Sequence, residues 1–404
     1  MLSLKPVDRE VKAFMARWQI AGGTVALVRN GRLIYSQAYG QADTHMPAQP
    51  HHLFRIASLS KPVTALAIMK LKDQGRLKLQ DKVFGPQGLL PDASYPCSDR
   101  RMLDITVRHL LQHTAGWDRD TNSGGDPMFN PVFIAQQMGV PAPADAETII
   151  RYVLKKPLDF TPGTQYAYSN IGYAVLGRVI EVLSGMSYES YVQANILHPL
   201  GILDMRLAQN TYAGKEPQEV RYFEELPPAS GAVPAGSQQE EPWPYGGFNI
   251  EAMDAHGGWI ASAADLAKIL AATDGQANRP DILSPEDLQQ LWQGSAPNPG
   301  YALGWMVNTR GAAWHTGSLP GTSTLMALLP EGTAWVLLFN GRHDSEAYFQ
   351  DLDQLMWQAQ KHIRHWPDQD LFMDPVLAEG AVPQPEAASP DEEEQLKATT
   401  HTSN

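Results

Sequence analysis

The stretch Phe54-Arg55-Ile56-Ala57-Ser58-Leu59-Ser60-Lys61 decides how the rest of this sequence is interpreted. It runs into an apolar segment at 62–71, which predicts a helix buried on every side. Ser58 and Lys61 are three residues apart, so they share one face at the start of that helix. Free backbone N–H groups and the helix dipole favour negative charge there. The arrangement therefore favours nucleophilic catalysis.

Ser58 and Lys61 are candidates for a nucleophile and its base. A serine hydroxyl reacts poorly until a base removes its proton. A lysine buried beside a helix N-terminus loses its own proton more readily than one in water, so Lys61 can serve as that base. The alternative is that Ser58 caps the helix and Lys61 is an ordinary surface residue. Because Ser-x-x-Lys is a short motif, partner residues elsewhere in the chain must decide between the catalytic interpretation and this alternative.

Composition indicates a globular protein with more than one subdomain. The chain has 404 residues, of which 43% are hydrophobic and 19% charged, enough for a substantial core. The net charge of −13 gives no basic surface for nucleic acid or anionic lipid. Cys97 is the single cysteine, so an internal disulfide is impossible. We expect no cofactor and no nucleic-acid partner.

Hydropathy predicts neither export nor a membrane span. Residues 1–8 lack a basic region followed by an apolar run, and no segment is long enough to cross a bilayer. As the sequence is written, we expect a cytoplasmic protein. A misplaced start or a removed signal would instead make it periplasmic or secreted.

The order of predicted elements indicates one antiparallel sheet built from both chain ends. Asn30-Gly31 separates the first two strands and is the strongest short hairpin signal. Strand patterns return only after residue 300, with a helix pattern near each end of the chain. The predicted strands are 24–28, 33–39, 302–307, 312–315, 324–329 and 334–339, and the predicted helices are 8–20, 105–113, 171–184 and 345–364.

We predict the α/β (α+β) class, an antiparallel sheet with flanking helices plus a mostly helical subdomain. The sheet domain is assigned to residues 1–75 and 255–366, and the helical subdomain with its active-site loops to 76–254. Residues 367–404 lack periodicity and predict a disordered acidic tail.

Two loop-rich segments of the helical subdomain are expected to shape a pocket. The first is 118–140, and the second is 208–250, which is rich in Pro, Gly and Glu. The second also carries Trp243, Tyr245 and Phe248. These aromatic side chains favour a folded flap beside a site over a disordered loop.

Tyr168-Ser169-Asn170 lies at a predicted helix start and supplies candidate partners for Ser58. Near positive charge, the Tyr168 phenol can lose its proton and act as an acid or base. Asn170 offers a donor and an acceptor that can orient a substrate amide. The alternative is that Tyr168 is a buried aromatic residue and Asn170 a helix cap.

His315-Thr316-Gly317 ends a predicted strand. A glycine in that position lets the backbone approach a ligand closely. The N–H of Ser318 can then pair with that of Ser58 as an oxyanion hole for a tetrahedral intermediate. The alternative is an ordinary strand end with a half-exposed histidine.

Ser-x-x-Lys, Tyr-x-Asn and His-Thr-Gly, in this order, resemble the three motifs of the class C β-lactamases and of their low-molecular-weight penicillin-binding relatives. Those relatives include D-alanyl-D-alanine carboxypeptidases and family VIII esterases. The resemblance covers roughly residues 10–360. Further similar stretches are 54–58, 105–116, 257–266 and 301–305.

This resemblance implies a serine hydrolase that works through an acyl-enzyme on Ser58. Lys61 would assist deprotonation of Ser58, and Tyr168 would carry protons to the leaving group and from the hydrolytic water. The implied fold is an α/β domain beside a helical domain, with the site between them and no metal ion. The residues implied in substrate binding are Asn170, His315, Thr316, Gly317 and Ser318.

His315 departs from the lysine that β-lactamases usually carry at the start of the third motif. Lysine is a permanent cation for a substrate carboxylate, whereas histidine near neutral pH is charged only in part. Arg310 and Arg342 are the cations that can compensate. We therefore expect a small-molecule ester or amide as substrate, hydrolysed by an esterase or by a hydrolase of small amides or D-amino-acid peptides. A β-lactamase or D-alanyl-D-alanine carboxypeptidase is the alternative, and the sequence sets no oligomeric state.

Two interpretations of a different kind stay open. His109 and His113 are four residues apart and resemble part of a metal site, although His-Glu-x-x-His is absent and no third ligand is evident. The second is a non-catalytic binding module of the same fold. Against it, Ser58, Lys61 and Tyr168 are all present.

Overall fold

Strands from both ends of the chain meet in one antiparallel sheet. The computed structural model describes residues 4–90, 93–121, 125–224 and 242–373. The main sheet has the strand order β3-β2-β1-β10-β9-β8-β7, and a small second sheet has the order β4-β6-β5. The strands are β1 (Gly22–Arg29), β2 (Arg32–Asp43), β3 (Met46–Pro47), β4 (Phe54–Arg55), β5 (Arg206–Leu207), β6 (Trp259–Ala261), β7 (Met306–Val307), β8 (Ala313–Leu319), β9 (Thr322–Leu328) and β10 (Thr333–Phe339).

Helices cover both faces of the main sheet, which confirms the predicted fold class. α1 and α11, from opposite chain ends, pack together on one face, and α9 lies on the other against β1, β2 and β10. The helices are α1 (Lys5–Trp18), α2 (Ser60–Asp73), α3 (Val107–Leu111), α4 (Pro131–Met138), α5 (Ala146–Leu154), α6 (Asn170–Ser184), α7 (Tyr188–Val192), α8 (Asp254–Gly257), α9 (Ala263–Ala271), α10 (Pro285–Leu291) and α11 (Glu346–Gln360).

The continuous apolar run of β10 follows from burial on both faces. Successive side chains in a strand point to opposite faces. Accordingly, Trp335 and Leu337 join the core under α1 and α11, whereas Val336 and Leu338 join the core shared with α2 and α9. Strands buried on both faces lose the polar alternation typical of a half-exposed sheet.

The first hairpin forms where the sequence predicts it. Asn30 and Gly31 both have positive φ, at 50° and 68°. Positive φ at both turn positions matches the right-handed twist of the strands that they join. β1 and β2 consequently pair along their length, with β2 on the β3 side of the main sheet and β1 next to β10.

Helix α2 is buried among other helices and shares one hydrophobic core with residues of β1 and β10. Side chains from Ser60 to Met69 are all buried, as the apolar run at 62–71 predicts. α2 contacts α6, α7, α8 and α10. The position of α2 therefore determines where Ser60 and Lys61, at its N-terminus, lie relative to these four helices.

Two expectations about the C-terminal part are wrong. The strand predicted at 302–307 is confined to Met306–Val307, because residues 302–305 form a tight turn in which Ala302 N donates to Trp305 O. The tail does not begin at residue 367. Residues 367–373 pack along β2, with Leu371 buried and Asp370 accepting from Leu33 N. The rest of the predicted tail, 374–404, lies outside the described residues.

The assignment of 1–75 and 255–366 to one domain and of 76–254 to another stays a prediction. Across the described ranges, no helix is both long and apolar enough to span a bilayer.

Gly317 lets β8 lie directly against the short 3-10 turn Ala57–Leu59 that precedes α2. A Cβ added at Gly317 would lie 2.3 Å from Thr324 Oγ1, 2.6 Å from Ile56 O and 3.1 Å from the Ala57 Cβ. Ile56 O is a backbone atom and the Ala57 Cβ is fixed by its backbone, so neither can rotate away. The close approach therefore requires glycine.

We expect Gly317→Ala to lower the free energy of unfolding by about 1–3 kcal/mol, because the added methyl group overpacks this contact. Urea unfolding monitored by tryptophan fluorescence measures the change. Gly172→Ala in α6 is the matched control, since its added Cβ would come no closer than 3.6 Å to another atom. Equal stability of Gly317→Ala and wild type would refute the close approach.

Candidate active site

Ser58 lies in the Ala57–Leu59 turn at the entrance to α2. Ala57 has a φ of 50°, in the left-handed region that a residue with a Cβ rarely adopts. Such strain persists only where the surrounding structure holds it, and it often occurs at functional sites. Ser58 itself is partly exposed, whereas Ala57 and Leu59 are buried. The turn therefore presents one hydroxyl to solvent from a buried backbone.

Lys61 is completely buried next to Ser58. Its Nζ lies 3.0 Å from Ser58 Oγ and 2.9 Å from the carbonyl oxygen of His256. Burial holds the pKa of Lys61 well below its usual value of 10.5, Asp126 raises it in part, and Arg119 lowers it further. The amine is therefore biased toward its neutral form, which has a lone pair for a proton.

Tyr168 completes a cluster with Ser58 and Lys61. The Ser58 hydroxyl lies close enough to the Tyr168 phenol to lower the pKa of that phenol, and Lys61 Nζ lies 4.8 Å from the centre of its ring. The sequence suggested that nearby positive charge can make this phenol lose its proton. Burial opposes that loss, because it raises the pKa of Tyr168 above its usual value and outweighs the effects of Ser58 and of the Arg119 charge. Tyr168 is thus a protonated phenol beside an amine that burial biases toward its neutral form.

Asn170 is turned toward a carboxylate that no sequence motif identifies. Its Nδ2 donates to Asp126 Oδ2 at 2.7 Å, while its Oδ1 is buried and has no hydrogen-bond partner among the described residues. Asp126 is itself buried, which raises the pKa of its carboxyl group. Arg119 lies near both groups, 4.9 Å from the centre of the Tyr168 ring and 3.9 Å from Asp126.

The third motif runs along β8, whose register directs the Ser318 N–H. Leu319 pairs with Thr322 across a two-residue turn, so this is a hydrogen-bonded pair, and Ser318–Ser323 is the following non-hydrogen-bonded pair. The Ser318 N–H therefore points away from β9. In the described part of the chain, β7 covers the other edge of β8 only at Ala313 and Trp314. Beyond that cover, β8 packs against the turn that holds Ser58.

His315 is neither the partly charged residue expected from the sequence nor the half-exposed histidine of the alternative interpretation. It is 1% exposed, and burial, aided by Lys61 whenever that amine is protonated, lowers its pKa to about 3. Its Nδ1 lies 2.7 Å from Thr316 O and its Nε2 lies 3.1 Å from the Tyr301 hydroxyl. His315 is therefore neutral at physiological pH and supplies no cation to a substrate.

Of the two arginines proposed to compensate for the missing lysine, Arg342 is paired with a carboxylate, and Arg310 lies at the opposite end of β8 from Ser318. Arg342 donates three hydrogen bonds to Glu224 and lies 3.4 Å from Ser318 Oγ. Arg310 is exposed in the turn before β8. The rim near Ser318 therefore carries a paired arginine and carboxylate.

The described parts of the loop at 208–250 are folded and held by Arg55. The guanidinium of Arg55 is fully buried, donates to the backbone oxygens of Gln209 and Pro244, and lies 3.4 Å from Glu219 Oε1. It also lies 4.7 Å from the centre of the Tyr222 ring. Arg55 thus binds backbone oxygens near both ends of this loop. Residues 225–241 of the loop lie outside the described part.

The histidine pair that resembled a metal site has other contacts. His109 belongs to the N-terminal capping box of α3, whereas His113 lies beyond the helix with a φ of 56°. Both ring nitrogens of His113 have hydrogen-bond partners. Among the residues that the structure describes, no group of three or more His, Cys, Asp or Glu could hold a metal ion.

The chain belongs to the Beta-lactamase family, whose family model matches residues 7–360. It is 25% identical over 355 residues to penicillin-binding protein 4* of Bacillus subtilis (strain 168), covering 84% of this chain and 72% of that protein. It is 29% identical over 324 residues to esterase EstB of Burkholderia gladioli, covering 74% and 75%. These matches confirm the resemblance inferred from the motifs.

Solved structures confirm the fold. D-amino acid amidase from Ochrobactrum anthropi SV3, complexed with D-phenylalanine, superposes with a TM-score of 0.68 at 22% identity, covering 89% of this chain and 99% of the amidase. The octameric penicillin-binding protein homologue from Pyrococcus abyssi superposes with a TM-score of 0.67 at 23% identity, covering 88% and 77%.

We expect Lys61→Met to be more stable than wild type by about 1–2 kcal/mol, because methionine removes the desolvation of an amine and fills similar space. The lost hydrogen bond to His256 O offsets part of this gain. In the same variant, Ser58 should not be acylated by an ester or amide substrate. Urea unfolding measures the stability, and Lys12→Met on the exposed side of α1 should leave it near the wild-type value.

The pH dependence of this stability difference has a defined sign. Folding lowers the pKa of Lys61. Between that lowered pKa and the usual value of 10.5, the unfolded chain therefore binds more protons than the folded one. Wild type therefore gains stability relative to Lys61→Met as the pH rises toward 10.5. A Lys61→Met variant that is less stable than wild type at neutral pH, by an amount that does not change with pH, would refute a desolvated Lys61.

Proposed function

We propose that this protein is a serine hydrolase that acts through an acyl-enzyme on Ser58, with an uncharged small ester or amide as its substrate. The observation that carries the proposal is the position of Ser58 Oγ, which is 3.0 Å from the buried Lys61 amine and close enough to the Tyr168 phenol to lower its pKa. The proposed nucleophile, base and proton donor are thus neighbours.

Acylation begins when Ser58 Oγ attacks the substrate carbonyl carbon. The Ser58 proton passes to the lone pair of Lys61, whose other contact, the His256 carbonyl oxygen, accepts a hydrogen bond from the resulting ammonium. The N–H groups of Ser58 and Ser318 receive the oxyanion. The register of β8, which directs the Ser318 N–H away from β9, supports that role.

The tetrahedral intermediate collapses as the bond to the leaving group breaks. Tyr168 donates its proton to the departing oxygen or nitrogen, and the proton held by Lys61 restores the phenol. The raised pKa of Tyr168 favours this restoration. Water then attacks the acyl-enzyme with the reverse proton movements, which releases the acid and returns the proton to Ser58 Oγ.

Charge at the third motif supports an uncharged substrate. His315 is buried and neutral, and Arg342 is paired with Glu224, so a substrate carboxylate would find no free cation from these two residues. We therefore favour esterase or amidase activity over β-lactamase or carboxypeptidase activity. The names of relatives such as esterase EstB and D-amino acid amidase support the same substrate classes. Asn170, Thr316 and Gly317 are proposed to line the substrate cleft.

Fluorophosphonate labelling followed by intact-protein mass spectrometry tests this proposal. We expect wild type to gain one adduct and Ser58→Ala to gain none, because Ser58 Oγ contacts the buried Lys61 amine that is proposed to activate it. Ser60→Ala is the matched control, since Ser60 is buried and its Oγ faces Trp259 N. Ser58→Ala should retain the fold by circular dichroism.

Unlabelled wild type is then assayed with p-nitrophenyl esters, D-amino-acid amides and a chromogenic cephalosporin. We expect turnover of the uncharged ester or amide and little turnover of the cephalosporin. Absence of an adduct on folded wild type would contradict the proposal and favour the binding-module interpretation. Faster turnover of the cephalosporin would contradict the substrate class alone.

A further inference from the structure

An unbroken chain of hydrogen bonds, buried except for the last one, runs from the second motif to the third. Ser169 N donates to His113 Nδ1 at 3.1 Å, and His113 Nε2 lies 3.0 Å from the Tyr301 hydroxyl. That hydroxyl lies 3.1 Å from His315 Nε2, and His315 Nδ1 lies 2.7 Å from Thr316 O. Three side chains from separate segments thus join the backbone of residue 169 to that of residue 316.

The direction of every hydrogen bond in this chain follows from its two ends. A backbone N–H can only donate, so His113 Nδ1 is an acceptor and its proton is on Nε2. At the other end a carbonyl can only accept, so the His315 proton is on Nδ1. Tyr301 then accepts from His113 and donates to His315. The two imidazoles are neutral and hold opposite tautomers.

Protonation of either histidine would oppose this arrangement. A proton on His113 Nδ1 would face the Ser169 N–H, and a proton on His315 Nε2 would displace the Tyr301 donor. Nearby cations act in the same direction, because Arg119 disfavours a cation at His113, and Lys61, whenever it is protonated, does so at both His113 and His315. The other groups around His113 are the aromatic rings of Tyr166, Tyr168, Tyr173 and Tyr301.

We propose that His113 and Tyr301 are positioning residues that fix the distance between the proton donor Tyr168 and the strand edge that carries the Ser318 N–H. Two contacts support this role. The His113 ring packs on Tyr168 with 4.3 Å between ring centres, and its Nδ1 anchors the amide next to that residue. At the far end, His315 holds the Thr316 carbonyl two residues before Ser318.

The tautomers are measured directly in wild-type protein selectively labelled with ¹⁵N-histidine. The ring nitrogens of His113 and His315 are assigned with His113→Gln and His315→Gln variants. We expect a protonated Nε2 for His113 and a protonated Nδ1 for His315 at pH 7, with both rings neutral. Identical tautomers, or a cationic His315, would overturn the proposal. This measurement requires no enzymatic activity.

Tyr301→Phe removes only the hydroxyl that links the two histidines. Tyr188→Phe is the matched control, because Tyr188 is equally buried and its hydroxyl also has two partners, Thr64 Oγ1 and Trp259 Nε1. We expect faster deuterium exchange in peptides covering residues 166–170 of Tyr301→Phe but not of Tyr188→Phe. Unchanged exchange in both variants would overturn the proposed anchoring of the second motif.

The kinetic effect rests on the serine-hydrolase function proposed above. In Tyr301→Phe we expect kcat for an aryl ester to fall by about 10- to 100-fold, because misplacement of catalytic groups by a fraction of an ångström has effects of this size. KM should change little, since neither positioning residue is placed against the substrate. In Tyr188→Phe both constants should stay close to wild type. A wild-type kcat in folded Tyr301→Phe would overturn the positioning role.

If wild type proves inactive, the serine-hydrolase function fails while the tautomers and the exchange data still decide whether the chain of hydrogen bonds exists. If Tyr301→Phe fails to fold, the tautomers of wild type alone decide.

Discussion

The desolvation of Lys61 is the constraint on which the account of this site depends. An amine in water at neutral pH is an ammonium ion and cannot accept a proton from serine. Here α2 is packed among α6, α7, α8 and α10, and Lys61 has no exposed surface. The burial that lowers the pKa of Lys61 also raises that of Tyr168. One low-dielectric cluster thus produces a base and an acid with the correct protonation states.

The same low dielectric explains why the histidines around the cluster are neutral. His113, His256 and His315 are buried, and burial lowers the pKa of each. A cationic histidine in this space would repel the ammonium that Lys61 forms in the proposed reaction. The neutral histidines serve as hydrogen-bonding groups instead, and the chain through Tyr301 uses both nitrogens of two of them. This chemistry suits an uncharged substrate better than a carboxylate.

Those parts of the fold that depend on local pattern could be predicted from the sequence. The hairpin at Asn30-Gly31, the buried helix at 62–71 and the strands around β9 and β10 follow from turn chemistry and periodicity. Tertiary contacts overruled the pattern elsewhere. The turn at 302–305 closes through its own backbone hydrogen bond, and residues 367–373 are held by β2, which is more than 300 positions away along the chain.

The candidate site divides in the same way. Ser58, Lys61 and Tyr168 lie in short motifs and could be named from sequence, whereas Asp126 and Tyr301 could not. Asp126 comes from an irregular loop without periodicity, and its role depends on the amide of Asn170. Tyr301 matters only because two histidines from distant segments meet at its hydroxyl. Such partners are defined by three-dimensional proximity, which spacing along the chain does not encode.

The most direct test of the central claim is the titration of Lys61 itself. Protein labelled with ¹³C at the lysine Cε, with Lys61→Met used for assignment, reports the charge of this amine by NMR. A desolvated base predicts a resonance that titrates well below the usual lysine pKa of 10.5. A Lys61 that titrates near 10.5, together with the exposed lysines, would contradict its role as the base for Ser58.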